Sequence, residues 1–251
     1  MPTMPSLRLN QLRFFTQSKL FGIGCLAIVA TILYIISLLL YPFELTTPVS
    51  NELGVTMQVL SYSAGHQGFL FTLAILGVTT LWVTRSTPHR LILIAQLALL
   101  LILSFGAKTV LKQWTESPRP YTYELAEEGL ISSPQQFYTL DSKVQNQIII
   151  LASDEVSDWR TKHWLGETDY SFPSGHTIFV AVCVLFFAGL FASHQHNLLA
   201  CLVMLWAVAV ASSRLWLGMH RPEDLFASLA FALVLFLIVP SASHRFPLLS
   251  K

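Results

Sequence analysis

From Leu20 to Tyr41 the chain runs for 22 residues without one Asp, Glu, Lys or Arg. At ~1.5 Å of rise per residue, a helix of that length covers a ~30 Å hydrocarbon layer in one pass. Lipid offers no partner for unpaired backbone groups, so an apolar run of this length crosses only as a helix. Five shorter apolar runs follow, at 68–83, 91–107, 177–192, 198–213 and 225–239. Their flanks are mostly uncharged and can extend the helices. The pattern predicts an all-α polytopic membrane protein with six transmembrane helices. Arg8, Arg13 and Lys19 precede the first run as in a signal peptide. That run is too long for a typical signal core and lacks a small-residue cleavage site, so it reads as an uncleaved anchor.

Composition agrees. Only 12% of the residues are charged, about half the ~25% of an ordinary soluble domain. Fifteen basic against 14 acidic side chains leave a net charge of +1, which argues against a nucleic-acid partner. The placement of those charges is more informative. Arg8, Arg13 and Lys19, then Arg85 and Arg90, then Arg245 and Lys251 lie in segments free of Asp and Glu; all 14 acids fall in the alternate loops. By the positive-inside rule both termini are expected in the cytoplasm, with 112–176 and 214–224 on the other side. Cys25, Cys183 and Cys201 fall inside the runs, where thiols act as small apolar groups. Neither a disulfide framework nor zinc-type spacing is expected.

Three regions are expected: an N-terminal three-span half at 1–111, a polar loop subdomain at 112–176, and a C-terminal three-span half at 177–251. The middle region is too long for a structureless loop. Within it, 154–164 reads as a short amphipathic helix, and Trp114, Trp159 and Trp164 suit a lipid interface.

Three polar clusters mark span ends on the non-cytoplasmic face: Lys112 with Arg119-Pro120; Pro173-Ser174-Gly175-His176; and Ser213-Arg214, His220 and Asp224. Lys112, Arg119 and Arg214 are cations, and an arginine fork suits a phosphate. Ser174 and Gly175 open an apolar helix, whose first N–H groups can point at an anion. His176 and His220 exchange protons near neutral pH. Asp224, in the first turn after Pro222, can reach back to His220 and fix its tautomer. Together these residues describe a phosphate cradle with acid–base groups.

The spacing Lys112-(six residues)-Arg119-Pro120, Pro173-Ser174-Gly175-His176 and Ser213-Arg214-(five)-His220-(three)-Asp224 resembles the tripartite signature of the type 2 phosphatidic acid phosphatase superfamily. Every signature position is filled. Phe137-Tyr138-Thr139-Leu140, His163-Trp164 with Glu167-Thr168 before Phe172, and Leu217-Gly218-Met219-His220 resemble its bacterial membrane branch. The resemblance implies that His220 attacks phosphorus to form a phosphohistidine, Asp224 supports it, and His176 protonates the leaving oxygen. Lys112, Arg119, Ser174, Gly175 and Arg214 would hold phosphate oxygens. It also implies an integral inner-membrane lipid phosphatase without a metal or other cofactor. Relatives accept phosphatidylglycerophosphate, phosphatidic acid and undecaprenyl pyrophosphate.

Other readings stand beside this one. His176, His220 and Asp224 could ligate a metal, although three nearby cations would repel it. A six-span transporter could use Lys108 and Lys112 to bind an anion, but the charges gather at span ends and no paired broken helices are evident. A structural or receptor role explains none of the clusters. Lys108, within the third span, is either functional or a snorkelling or acid-paired residue. Glu116, Asp141 and Glu155 read as solvated surface, and His66, His194 and His196 as interface residues. The expected partners are the bilayer and a lipid phosphate, with no obligate protein partner.

Overall fold

The computed structural model describes residues 12–13, 16–85 and 90–242. Arg8, Arg245 and Lys251, which contribute to the predicted orientation, lie outside them. The architecture is helical, apart from a two-residue antiparallel pairing of Leu12–Arg13 (β1) with Ser241–Ala242 (β2).

The apolar runs form helices α1 (Gln17–Leu40), α3 (Phe69–Val83), α4 (Arg90–Thr115), α9 (Gly175–Cys183) continuing into α10 (Gly189–Ser193), α11 (Asn197–Trp216) and α12 (Pro222–Ile238). A π-helical turn, Val184–Ala188, joins α9 to α10. Among the described residues, four helical stretches, starting at Gln17, Arg90, Gly175 and Asn197, are long and apolar enough to cross a membrane. A fifth span arises if the bent pair α2 (Asn51–Ala64) and α3 counts as one. The chain is thus a polytopic membrane protein; by length and apolarity the described residues give four to five spans, which does not confirm the expected six. Helix α12, with 17 residues, is short for a full crossing.

Helix α2 lies between the first two apolar runs, where the sequence pattern predicts no span. Its mixed composition hides no long apolar run, yet Ser50 caps its first turn by accepting from the Leu53 N–H at 3.3 Å.

The α9–α10 rod forms the axis of the bundle. It is apolar on every face and almost wholly buried, as such a helix must be. Helices α1, α4, α11 and α12 surround it. Close approach of α1 depends on two glycines. A Cβ on Gly189 would come within 2.6 Å of both Gly22 Cα and Ser18 O. Lys19 is fully buried and donates to the Val239 and Leu237 carbonyls at 2.6 and 3.3 Å, so it ties α1 to the C-terminal end of α12.

Between α4 and α9, the chain forms α5 (Pro120–Glu127), α6 (Pro134–Phe137), α7 (Ser142–Leu151) and α8 (Asp158–Trp164). The expected 154–164 helix therefore begins at Asp158; Ala152–Asp154 is a 3-10 turn. These helices build a second core from Tyr121, Leu125, Phe137, Ile149 and Trp164 against Trp216, Leu217 and Met219. Trp164 is not an interface residue as expected. It is fully buried, stacked on Tyr121 at 4.7 Å, and its Nε1 donates to Leu217 O at 2.6 Å. Trp114 is 82% exposed, as a lipid-interface residue would be. This second core presses on the turn after α11 and so positions the third polar cluster.

Candidate active site

Each cluster sits where a helix starts or stops, at one end of the bundle. Lys112 lies in the last turn of α4, Arg119 precedes Pro120 at the start of α5, and Arg214 lies in the last turn of α11. The segment ahead of α9 joins them. Lys112 Nζ lies 2.9 Å from Asp169 Oδ2 and also donates to Tyr170 O. Arg119 donates to the Asp169 carboxylate and backbone, and its Nη1 reaches Met219 O at 3.2 Å. Arg214 Nη2 donates to Glu167 Oε2 at 2.8 Å, and Arg119 Nη2 stands 3.8 Å from the same oxygen. Glu167 and Asp169 thus gather three cations that are far apart in sequence.

Burial opposes ionisation of Glu167, but Arg214 and Arg119 outweigh it and hold the carboxyl far below its usual range. Asp169 behaves alike: burial is offset by Arg119 and Lys112, and its pKa falls to about 2. Both stay ionised beside the cations.

His220 lies in the turn between α11 and α12. Gly218, at φ +67°, allows that turn, and a Cβ there would also press on Leu45 at 2.8 Å. Asp224 stands in the first turn of α12 and its Oδ2 accepts from Arg221 N at 2.9 Å. The predicted reach back to His220 exists: Asp224 Oδ2 lies 3.6 Å from Nδ1. Ser171 bridges the two, donating to Asp224 Oδ2 at 2.5 Å with its Oγ 3.3 Å from His220 Nδ1. A proton on Nδ1 would face both oxygens and leave the Nε2 lone pair free. Burial, with Arg119 and Arg214 nearby, lowers the His220 pKa against the opposing pull of Asp224. That direction favours the neutral ring.

Ser174 is the N-cap of α9. Its Oγ accepts from Thr177 N at 3.3 Å and Thr177 Oγ1 at 2.9 Å, while its own N–H donates to Ser228 Oγ at 2.9 Å. Gly175 and His176 follow and line a cavity of about 360 Å³ with Glu167, Asp169, Lys108, His66, Phe69 and Phe105. The position of His66 was not foreseen, since nothing near it in sequence suggests chemistry. The α2–α3 bend carries it into the cavity wall. Among the described residues no group of three or more His, Cys, Asp and Glu is arranged to hold a metal.

The site also recruits residues that sequence reasoning missed. His163 Nε2 accepts from Arg214 Nη1, and Ser61 Oγ on α2 lies 2.6 Å from that nitrogen and 3.0 Å from His163 Nε2. Burial and Arg214 depress the His163 pKa to about 3, so it serves as a neutral acceptor. His163 and Glu167 were visible only as similarities to a family; Ser61 gave no signal.

The sequence pattern of the PAP2 superfamily matches residues 93–247, which include all three clusters. The chain belongs to the PAP2 superfamily. Phosphatidylglycerophosphatase B of Escherichia coli (strain K12) is 32% identical over 148 residues, 57% of this chain and 58% of that protein. Its Haemophilus influenzae counterpart is 36% identical over 135 residues, 51% of this chain and 56% of that protein. The matches thus take in less than two thirds of these relatives' own length. A transmembrane PAP2-type phosphatidylglycerolphosphate phosphatase from Bacillus subtilis superposes with a TM-score of 0.47 at 19% identity, covering 88% of this chain and 92% of that one. The PAP2 assignment rests on the sequence pattern and on the filled signature positions.

Proposed function

We propose that this PAP2 protein is a bacterial inner-membrane phosphatase that hydrolyses lipid monophosphates and diphosphates through a phosphohistidine. Both termini would face the cytoplasm and the cavity the periplasm. The observation that carries the reading is the His220–Ser171–Asp224 arrangement beside the Lys112, Arg119 and Arg214 cations.

In the first step His220 Nε2 attacks phosphorus, the bond from phosphorus to the lipid oxygen breaks, and that oxygen takes a proton from His176. In the second step His176 accepts a proton from water, whose oxygen displaces His220 and releases phosphate. The cations, with the backbone N–H groups of Gly175 and His176 at the α9 start, stabilise the charge on the transferring phosphoryl group. Glu167 and Asp169 must yield part of that cation cluster when phosphate enters. The names of the curated relatives support phosphatidylglycerophosphate as one substrate; phosphatidic acid and undecaprenyl pyrophosphate carry the same reacting group.

The test is phosphate release by the purified protein across these lipids, with and without a chelator. Release that persists with a chelator is expected; labelled lipid moved across vesicles without phosphate release would replace the hydrolase by a transporter. Two variants divide the roles of the histidines. His220→Ala is expected to lose turnover of every substrate. His176→Ala is expected to lose ~10²–10⁴-fold on phosphatidic acid and far less on an aryl phosphate, whose leaving group hardly needs a proton. Equal losses for His176→Ala on both substrates would remove it as the general acid.

A further inference from the structure

We propose that Asp169 is a resident competing anion of the phosphate site: its carboxylate occupies the place between Lys112 and Arg119 that a phosphoryl group takes, swings out when phosphate enters, and returns as phosphate leaves. This rests on the reading above that the cations hold the phosphoryl group, and adds what limits the affinity of that site. The two acids of the cluster differ in freedom. The Glu167 side chain is 21% exposed and sits between Arg214 and Arg119, whereas that of Asp169 is 57% exposed, pairs with Lys112 and Arg119, and lines the cavity. The part of the cluster that yields is therefore Asp169, and Glu167 stays.

Charge supports this division. Lys112, Arg119 and Arg214 bring three positive charges, and Glu167 cancels one of them. The two that remain balance a phosphate monoester, whose charge is about −2 near neutral pH. With Asp169 also in place only one remains, and the phosphoryl group would lie against a carboxylate. Hydrogen bonding makes the exchange feasible. Arg119 Nε donates to the Asp169 backbone oxygen at 2.7 Å and Nη1 to Met219 O at 3.2 Å, while Lys112 also donates to Tyr170 O. None of these bonds uses the Asp169 carboxylate. The backbone beside it is held too: Ser171 N donates to Ser117 O at 2.8 Å, and the Tyr170 ring stacks on Tyr138 at 4.4 Å. Rotation of the Asp169 side chain thus leaves both cations anchored and frees a donor on each. Its Oδ1 on Arg119 Nη2 and Oδ2 on Lys112 Nζ stand where two phosphoryl oxygens would. A competitor of this kind weakens every phosphoryl ligand by one common factor. Product phosphate is weakened with the substrate, which favours its release.

Asp169→Asn keeps the shape and removes the charge. Orthophosphate should raise the unfolding temperature of this variant at roughly tenfold lower concentration than the wild type needs. KM for a lipid monophosphate should fall by a similar factor without a rise in kcat. An unchanged or weaker response to phosphate would overturn the proposal; the weaker one would make Asp169 a support that organises the cations. The wild type gives a second test that needs no variant. A water-soluble carbodiimide joins an ammonium to a carboxylate in direct contact, and Lys112 Nζ lies 2.9 Å from Asp169 Oδ2. The exposed Lys162–Asp158 pair, at 3.0 Å, is the internal control. Orthophosphate, at concentrations where the unfolding temperature has levelled off, should suppress the Lys112–Asp169 cross-link and spare the control. Persistence of that cross-link would overturn the proposal. No response of the unfolding temperature to phosphate would remove the phosphate site and this proposal with it. Failure to release phosphate from any lipid would reject the hydrolase reading alone, because the unfolding and cross-linking measurements require no turnover.

Discussion

Ser171 shows how much of this site depends on a residue outside every signature position. Its hydroxyl is fully buried and joins Asp224 Oδ2, His220 Nδ1 and Met219 O. In the proposed mechanism it touches no reacting atom and positions the His220 ring. Ser171→Ala leaves Asp224 with its Arg221 N–H but removes the bridge. A hydrogen bond to a charged group contributes ~1.5–3 kcal/mol, so kcat should fall roughly 10- to 100-fold. KM should change much less, because Lys112, Arg119 and Arg214 keep their surroundings. Asp224→Asn should be worse, with a loss of ~10²–10⁴-fold by analogy with a triad carboxylate. A Ser171→Ala enzyme whose KM rises while kcat holds would show that the serine serves binding instead. At this scale the signature residues that gather at the candidate site are legible in the sequence because their types and spacing are restrictive. Their supports were not. Ser61, His163 and Ser171 are ordinary residue types, and only their distances to Arg214 and His220 give them roles.

The helices followed the apolar runs closely where those runs are long, because burial of backbone polar groups in lipid permits little else. The errors came where composition is mixed. Asn51–Ala64 carries Glu52, Gln58, Ser61 and Ser63 among its apolar residues, so helix α2 could not be read as a span. It nonetheless delivers Ser61 to Arg214 and turns at Gly65 to place His66 and α3. The α1–α10 contact is a packing feature of the same scale. Gly22 and Gly189 let two backbones approach, which replaces missing hydrophobic drive in a bilayer with van der Waals contact. Gly189→Val should destabilise the fold by ~1–3 kcal/mol through overpacking, read as a lowered unfolding temperature in detergent. Turnover of the protein that remains folded should be near normal, since the site lies at the far end of α9. An unchanged unfolding temperature would mean that α1 shifts freely and is not a close-packed partner.

For the whole molecule, the separation of acidic from basic segments carries a topological prediction. Tags inserted in the α6–α7 region should be reached from the periplasm in intact cells, and tags at either terminus only after the inner membrane is breached. Labelling of α6–α7 tags only after inner-membrane breach would reverse the orientation and put the cavity on the cytoplasmic side. The sequence by itself determined that the chain is helical and membrane-embedded, which family it joins, and which polar clusters meet at the candidate site. Those properties depend on local apolarity, on helix start and stop residues, and on residue type, all of which are written along the chain. Tertiary structure alone decided that Glu167 and Asp169 hold the three cations together, that Trp164 packs inward, and that Lys108 and His66 share one cavity. Each of these joins residues from different helices, and their pairing depends on how the bundle closes around α9 and α10. Local sequence carries no measure of that distance.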